Sequence, residues 1–341
     1  MIADFSFIIL LGYLVGSICL YLLLGGADFG AGIMEFYSRT VDRHQREKLP
    51  TTQAISAVWE VNHIWLIIAI VILFVGFPHG YADISIHLHI PVFLVLTGIV
   101  FRGAAFAFRS YDVEPTPFKE MAYSWCFALS SVLTPFWFGV IAVSLSQPVV
   151  IAEGADFFTA YVNPWLGWKQ LFGGAFLIVV CAWISTSFLA IEIDDFQLMV
   201  RIKRWKTVFL LGSAILGMGI MTLHFDRLNL LPSALSALAM ILAGLVTFRA
   251  QVGNPWVTRV VIGATVSTLV VAWASWQYPD FHRWQIAEGD GLRLIESAAP
   301  RAVRLALVGA LTAGAVILFP ALVWMFSVFK PTTAKSLGHK K

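Results

Sequence analysis

The chain has 341 residues, is 59% hydrophobic and only 13% charged. A soluble domain carries about 25% charged residues, so the composition is that of a polytopic membrane protein. The net charge of +3 is small and the basic residues lie in loops rather than on one patch, which gives no footing to nucleic acid. Cys19, Cys126 and Cys181 sit far apart in apolar runs without CxxC or CxxCH spacing, so the sequence offers no disulfide, zinc or covalent-haem motif. The start, Met-Ile-Ala-Asp, lacks the basic stretch of a cleaved signal, and the first apolar run is expected to be kept as a helix.

Nine runs reach the ~20 apolar residues that a membrane-crossing helix needs. They lie at 5–35, 53–77, 83–109, 118–146, 165–192, 203–223, 228–248, 256–276 and 302–328. Backbone groups find no water in a bilayer, so each span is a helix. The expected fold is an all-α, polytopic transmembrane helix bundle. It forms a single transmembrane domain over 1–330, with two four-helix units plus one helix, and a cytoplasmic tail at 331–341. With the N-terminus outside, most basic residues fall on the inner side, among them Arg39, Arg43, Arg46, Lys48, Lys119, Arg201, Lys203, Arg204 and Lys206. The outer side holds Lys169, Arg227, Arg283, Arg293, Arg301 and Arg304. This asymmetry puts the C-terminus in the cytoplasm.

Span one contains G-G-A-D-F-G-A-G, with Asp28 among Gly25, Gly26, Gly30 and Gly32. Gly26 and Gly30 have the GxxxG spacing that lets another helix come close. Asp28 is then either a wetted residue at the cytoplasmic end of a packing seam or a functional interior acid. A phosphate-cradling loop does not fit, because no strand precedes it and no Lys-Ser/Thr follows. The basic loop 37–52 reads as a cytoplasmic anchor.

Span two carries Trp59, Glu60, Asn62, His63 and Trp65. On a helix Trp59, Asn62 and His63 share a face, and Glu60 and His63 are neighbours three apart. Such a cluster serves as interhelical glue or as a proton-, ion- or cofactor-linked site, the default for ionisable groups at membrane depth. The loop Phe77–Asp83 holds Pro78 and His79, and His87 and His89 open span three. Residues two apart do not share a helix face, so these histidines read as interfacial rather than as ligands. Span three ends with Arg102 and Arg109, seven apart and on one face. Arg109 is close enough to the cytoplasm to snorkel. Arg102 lies deeper and calls for a carboxylate, Glu60 or Asp28.

Span four, with Trp125, Pro135, Phe136 and Trp137, reads as packing and lipid contact. The next loop has Glu153 and Asp156 but no Lys or Arg before Trp165, as an outside loop should. Glu192, Asp194 and Asp195 read as a solvated cluster facing Arg201–Lys206, and His224 and Asp226 fall in a short outside turn. The longest loop, Gln277–Arg301, contains Trp284 and either folds over the bundle or meets a partner. The last span holds Pro320.

From Gly25 to Arg109 the sequence resembles subunit II of the cytochrome bd quinol oxidases. The resemblance rests on G-A-D-F-G at Gly26–Gly30, W-E-V-N-H-I-W-L at Trp59–Leu66, Phe77–Pro78, and R-G-A-A-F-A-F-R at Arg102–Arg109. The commoner family form has Gly-Phe-Asp where this chain has Gly-Ala-Asp. It often has Asp and Glu where this chain has Glu60 and His63. Glu60 keeps an acid, whereas His63 changes the charge of the cluster.

The resemblance implies a bacterial inner-membrane quinol:dioxygen oxidoreductase. Its haem-bearing partner, subunit I, carries haem b and haem d, or haem b alone, together with the quinol site. It also implies a small accessory subunit and, in some members, a structural quinone held by subunit II. The subunit itself has no haem ligands and lines proton or dioxygen access. Asp28, Trp59, Glu60, Asn62, His63 and Arg102 are then the proton path or structural polar cluster, with no catalytic or metal-binding residue in this chain. A rival reading is a proton-coupled secondary transporter built on Glu60, Asp28 and Arg102. Transporters place such sites in symmetry-related halves, and only the first half here carries buried charge. A third reading is a purely structural partner.

Overall fold

The computed structural model describes residues 4–40, 59–114, 116–192, 196–222, 229–249, 254–286 and 291–328. Within helices, the side chains of Trp59, Glu60 and Glu192 fall outside the described residues, as do Asp194, Asp195, His224 and Asp226 altogether. The apolar runs become α1 (Phe5–Thr40), α2 (Trp59–Val71), α4 (His89–Tyr111), α5 (Pro117–Ser146), α7 (Trp168–Glu192), α8 (Phe196–Thr222), α9 (Leu230–Arg249), α10 (Pro255–Gln277) and α12 (Arg301–Val328). Between them lie the short helices α3 (Pro78–His87), α6 (Phe157–Tyr161) and α11 (Leu294–Ser297). Eight helices among the described residues are long and apolar enough to cross a membrane, or nine if a bent pair counts as one span. At 36 residues and ~1.5 Å per residue, α1 is about 54 Å long, well beyond the ~30 Å hydrocarbon layer.

The bent pair is where the sequence expectation changes. Helix α2 runs on into a π-helical turn, Ile72–Gly76, and stops at Phe77. Pro78 then opens α3, whose axis turns by 112°. Proline has no N–H to continue the first helix, and its fixed φ suits the first position of the next. The expected loop Phe77–Asp83 is therefore helical, and span three begins at His89 rather than at residue 83.

Helix α1 is central. It packs against α2, α5, α7, α10 and α12, while α4 packs on α5, α8 on α7 and α9 on α10. Helix α7 lies against both α1 and α5. Glycines set that approach: a Cβ on Gly30 would run into the Cys181 carbonyl, and one on Gly139 into the Gly173 carbonyl. The GxxxG of span one thus has α7 as its partner.

Two features seal one end of the bundle. The loop after α10 folds over it, and β2 (Trp284–Ile286) pairs in parallel with β1 (Val149–Ile151), with Val149 opposite Trp284. Buried Trp284 donates its indole N–H to the Ser144 carbonyl at 2.9 Å. Gln277 donates to the carbonyls of Leu145 and Phe281 and accepts from Ser146. At the same end Asp4 caps α1 through Ser6 and the Phe7 N–H, and accepts from Arg304 of α12 at 2.8 Å. The Ser6 hydroxyl, the Phe7 N–H and Arg304 together hold the Asp4 carboxyl down to about 2. At the other end, Lys206 leaves the set of solvated inner-side cations. It is 1% exposed within α8 and donates to the Val246 carbonyl in the last turn of α9 at 2.9 Å, the favourable place for a cation on a helix.

Candidate functional site

The glycines of G-G-A-D-F-G-A-G bring neighbouring helices so close that Asp28 is only 4% exposed. Gly30 meets α7, and a Cβ on Gly32 would strike Ser131 of α5. Arg102 reaches across from α4, also 4% exposed. Its Nη1 donates to Asp28 Oδ2 at 2.6 Å and its Nη2 to Oδ1 at 2.8 Å. Nη2 also donates to the Asp28 carbonyl at 2.8 Å, and Nε to Ser131 Oγ at 2.8 Å. The guanidinium carbon lies 5.0 Å from the Phe29 ring centre and 4.5 Å from that of Phe127. A buried ion pair repays its desolvation only when geometry is good and the remaining donors are satisfied. The planar fork, the extra acceptors and the aromatic rings meet that condition, and lysine could not supply the same contacts.

Asp28 is thus a partner of Arg102, while the side chain of Glu60, the other acid expected there, lies outside the described residues. Seven residues on in both helices, Arg109 donates to Glu35 at 3.0 and 3.2 Å. The expected snorkelling residue is thus the outer member of a second ion pair, with Glu35 buried and Arg109 partly exposed. Two rungs, about 10 Å apart along the axis at ~1.5 Å per residue, connect α1 to α4.

His63 is half-buried and lies within electrostatic reach of both Asp28 and Arg102. Tyr21, seven residues before Asp28, does too. Asn62 is on the buried face of α2. Trp59 and Glu60 occupy the first turn of α2. The structure therefore brings together Asp28, Arg102 and His63, and adds Tyr21, Phe29, Glu35, Phe127 and Ser131, which the sequence reading had not singled out. Tyr21, Asp28 and Glu35 recur every seven residues, matching the interval between Arg102 and Arg109; that matched spacing was the available signal. Nothing distinguishes Ser131 from the many other hydroxyls of the spans.

Three of the histidines are held by hydrogen bonds through their rings. His282 donates from Nε2 to Asp83 at 2.8 Å while Nδ1 accepts the Trp284 N–H. His87 and His89 turn Nδ1 to the carbonyls of Ala160 and Ile86. No group of three His, Cys, Asp or Glu that could hold a metal ion occurs among the described residues.

The chain is a polytopic helical membrane protein whose interior, between α1, α4 and α5, is built around a desolvated Arg–Asp pair. The model for the family described as cytochrome bd terminal oxidase subunit II matches residues 6–329, and the chain belongs to that family. It is 26% identical over 214 residues to the cytochrome bd ubiquinol oxidase subunit 2 of Bacillus subtilis (strain 168), covering 62% of this chain and 60% of that protein. It is 30% identical over 137 residues to the cytochrome bd-I ubiquinol oxidase subunit 2 of Escherichia coli (strain K12), covering 40% of this chain and 35% of that protein. The matched stretches thus span less than two thirds of either relative. In fold, the chain is similar to the bd oxidase structure from Geobacillus thermodenitrificans, with a TM-score of 0.72, 18% identity, and coverage of 96% and 99% of the two chains. The all-α transmembrane bundle is that of the bd oxidases, and family membership displaces the secondary-transporter reading.

Proposed function

We propose that this chain is the second subunit of a cytochrome bd-type terminal quinol oxidase in a bacterial inner membrane. The haem-bearing subunit I is its partner, and together they oxidise quinol and reduce dioxygen to water. When bound in the complex, haem supplies the electron-transfer and oxygen chemistry. This chain's residues supply a route for the protons that reduction consumes. Glu60 is the titrating acid of that route, with His63, one turn on, exchanging a proton or donating a hydrogen bond to it. Asp28 and Arg102 form the fixed charge pair beside them. Trp59 and Asn62 frame the same stretch of α2.

The observation that carries this reading is the closed geometry of the Asp28–Arg102 pair. Arg102 stays charged and already has its counter-ion, so Glu60 is not required to neutralise it and is left to titrate. The test is the Glu60→Gln complex, with haem content checked before kinetics. Turnover and linked proton uptake should fall on the order of tenfold or more while the complex stays assembled. Wild-type values for both would end the relay reading and leave the cluster as assembly glue.

A further inference from the structure

The segment between β1 and α7 has two unlike sides, and one of them is fastened to the bundle. Asp156 caps α6, accepting the Phe158 N–H at 3.1 Å and the Thr159 hydroxyl at 2.6 Å. The carbonyl of buried Ala160 accepts from Nδ1 of His87, at the end of α3, at 2.9 Å. The Tyr161 ring stacks on that of His87. The Tyr161 carbonyl accepts the Trp165 indole N–H at 2.6 Å. Trp165 is buried edge-on against Trp137 of α5.

The other side is bare and apolar. Phe157 and Phe158 are 63% and 54% exposed. Leu166 and Trp168 are exposed as well, and so are Leu171 and Phe172 in the first turns of α7. Trp168 stands edge-on to Phe172 at 6.0 Å between ring centres. The row therefore runs into the apolar side of a helix long enough to cross the membrane. Exposed apolar patches of this kind mark a protein or membrane contact.

Two observations favour the membrane. The first is level. Helix α3 is turned by 112° from the span before it, so it runs closer to the membrane plane than across it, and α6 packs against it. Trp168 opens α7, at the depth where hydrocarbon gives way to headgroups, the favoured place for tryptophan. The second is composition. No Lys or Arg occurs between Lys119 and Lys169, and both acids of the segment, Glu153 and Asp156, precede the aromatic pair. Phe, Leu and Trp are the residues that interfacial helices sink into the boundary between headgroups and acyl chains. We propose that α6 and the residues up to Trp168 form an interfacial foot, with Phe157, Phe158, Leu166 and Trp168 resting in phospholipid of the leaflet at the β1–β2 end. The foot fixes the depth of the segment that carries β1 and so steadies the cap over the bundle. It goes beyond the oxidase reading and needs neither Glu60 nor its titration.

The test uses the assembled complex in vesicles of phosphatidylethanolamine and phosphatidylglycerol. Nitroxide labels on Phe157→Cys and Phe158→Cys are compared with labels on Glu153→Cys and Phe172→Cys. Collision with dioxygen, which concentrates in lipid, is measured against collision with a water-soluble nickel chelate. The ratio at the two phenylalanine positions should be several-fold above that of Glu153→Cys and approach that of Phe172→Cys. A ratio equal to that of Glu153→Cys would put this side in water and overturn the proposal. Labels reached by neither reagent would be covered by a protein partner, which overturns it as well. The second arm needs no variant. Wild-type complex is irradiated with a phospholipid bearing a diazirine on an upper acyl carbon, and the adducts are mapped by mass spectrometry. Adducts on residues 157–168 are expected together with those on Leu171 and Phe172; adducts on α7 alone, or on neither segment, would sink the foot.

Discussion

Asp28 and Arg102 show why removing one partner of a buried pair differs from removing both. With Asp28 replaced by Leu, Arg102 keeps its charge in a site with Phe29 and Phe127 around it, at a cost of ~3–5 kcal/mol. The Asp28→Leu complex should therefore be recovered in low yield or melt well below wild type. Arg102→Leu should do the same by stranding the carboxylate. The double variant should recover most of the lost stability, because an apolar pair of similar volume is often neutral, yet stay impaired in turnover. Yield and melting temperature of the three complexes check this; a double variant no better than the singles would mean that the pair is not the source of the loss. The sequence made both residues conspicuous, since charges in apolar runs stand out. It left open which acid faces Arg102, because that choice depends on how α1 and α4 are rotated about α5. The Glu35–Arg109 pair was hidden for a related reason: at a helix end, an isolated Arg is equally consistent with reaching solvent.

At the scale of the elements, glycines differ in what they contribute. Gly30 faces the Cys181 carbonyl with no room for a Cβ, whereas nothing lies within 4 Å of a Cβ on Gly244 in α9. Gly30→Ala should separate α1 from α7 and lower the melting temperature by several degrees or block assembly, an overpacking cost of about 1–3 kcal/mol. Gly244→Ala should be tolerated or slightly stabilising. Equal effects would show that helix propensity rather than close packing governs these sites. The clasp between α1 and α12 has its own signature. Asp4 titrates at about 2 in the folded protein against an ordinary 3.8. A depressed carboxylate pKa contributes stability above the unfolded value and loses it as pH falls through the folded one. The difference in melting temperature between wild type and Asp4→Asn should hold from neutral pH down to about 3.8 and shrink towards pH 2. A difference that grows on acidification would assign the clasp to something other than the Asp4 carboxylate. The long helices were legible because apolar runs of that length admit only one backbone solution in a membrane. The turn into α3 was half legible, from Pro78. The strands β1 and β2 have three residues each, too few for any periodicity, and are held by the distant contacts of Gln277 and Trp284.

For the molecule as a whole, the structure groups residues by end, and charge then orients the ends. Asp4, Arg301, Arg304, the β1–β2 pair and the loop after α10 lie at one end. The α4–α5 connection, with Asp112 and Lys119 paired at 3.3 Å, lies at the other. The sequence expectation assigns the greater share of Lys and Arg to the second end, so the positive-inside rule predicts that this end is cytoplasmic. Two exposed acids make this a direct experiment. Glu153 stands in the turn after β1, next to Gly154 with its φ of 71°, and Glu114 stands in the α4–α5 turn. The native thiols leave a low background, because Cys181 is buried and Cys19 and Cys126 are partly buried within spans. In intact cells, a membrane-impermeant thiol reagent should label Glu153→Cys and leave Glu114→Cys unreacted until the membrane is opened. Labelling of Glu114→Cys alone in intact cells would invert the molecule. It would also turn the Glu35–Arg109 rung to the outer face, so that protons entering from the cytoplasm would meet the Asp28–Arg102 pair before it rather than after.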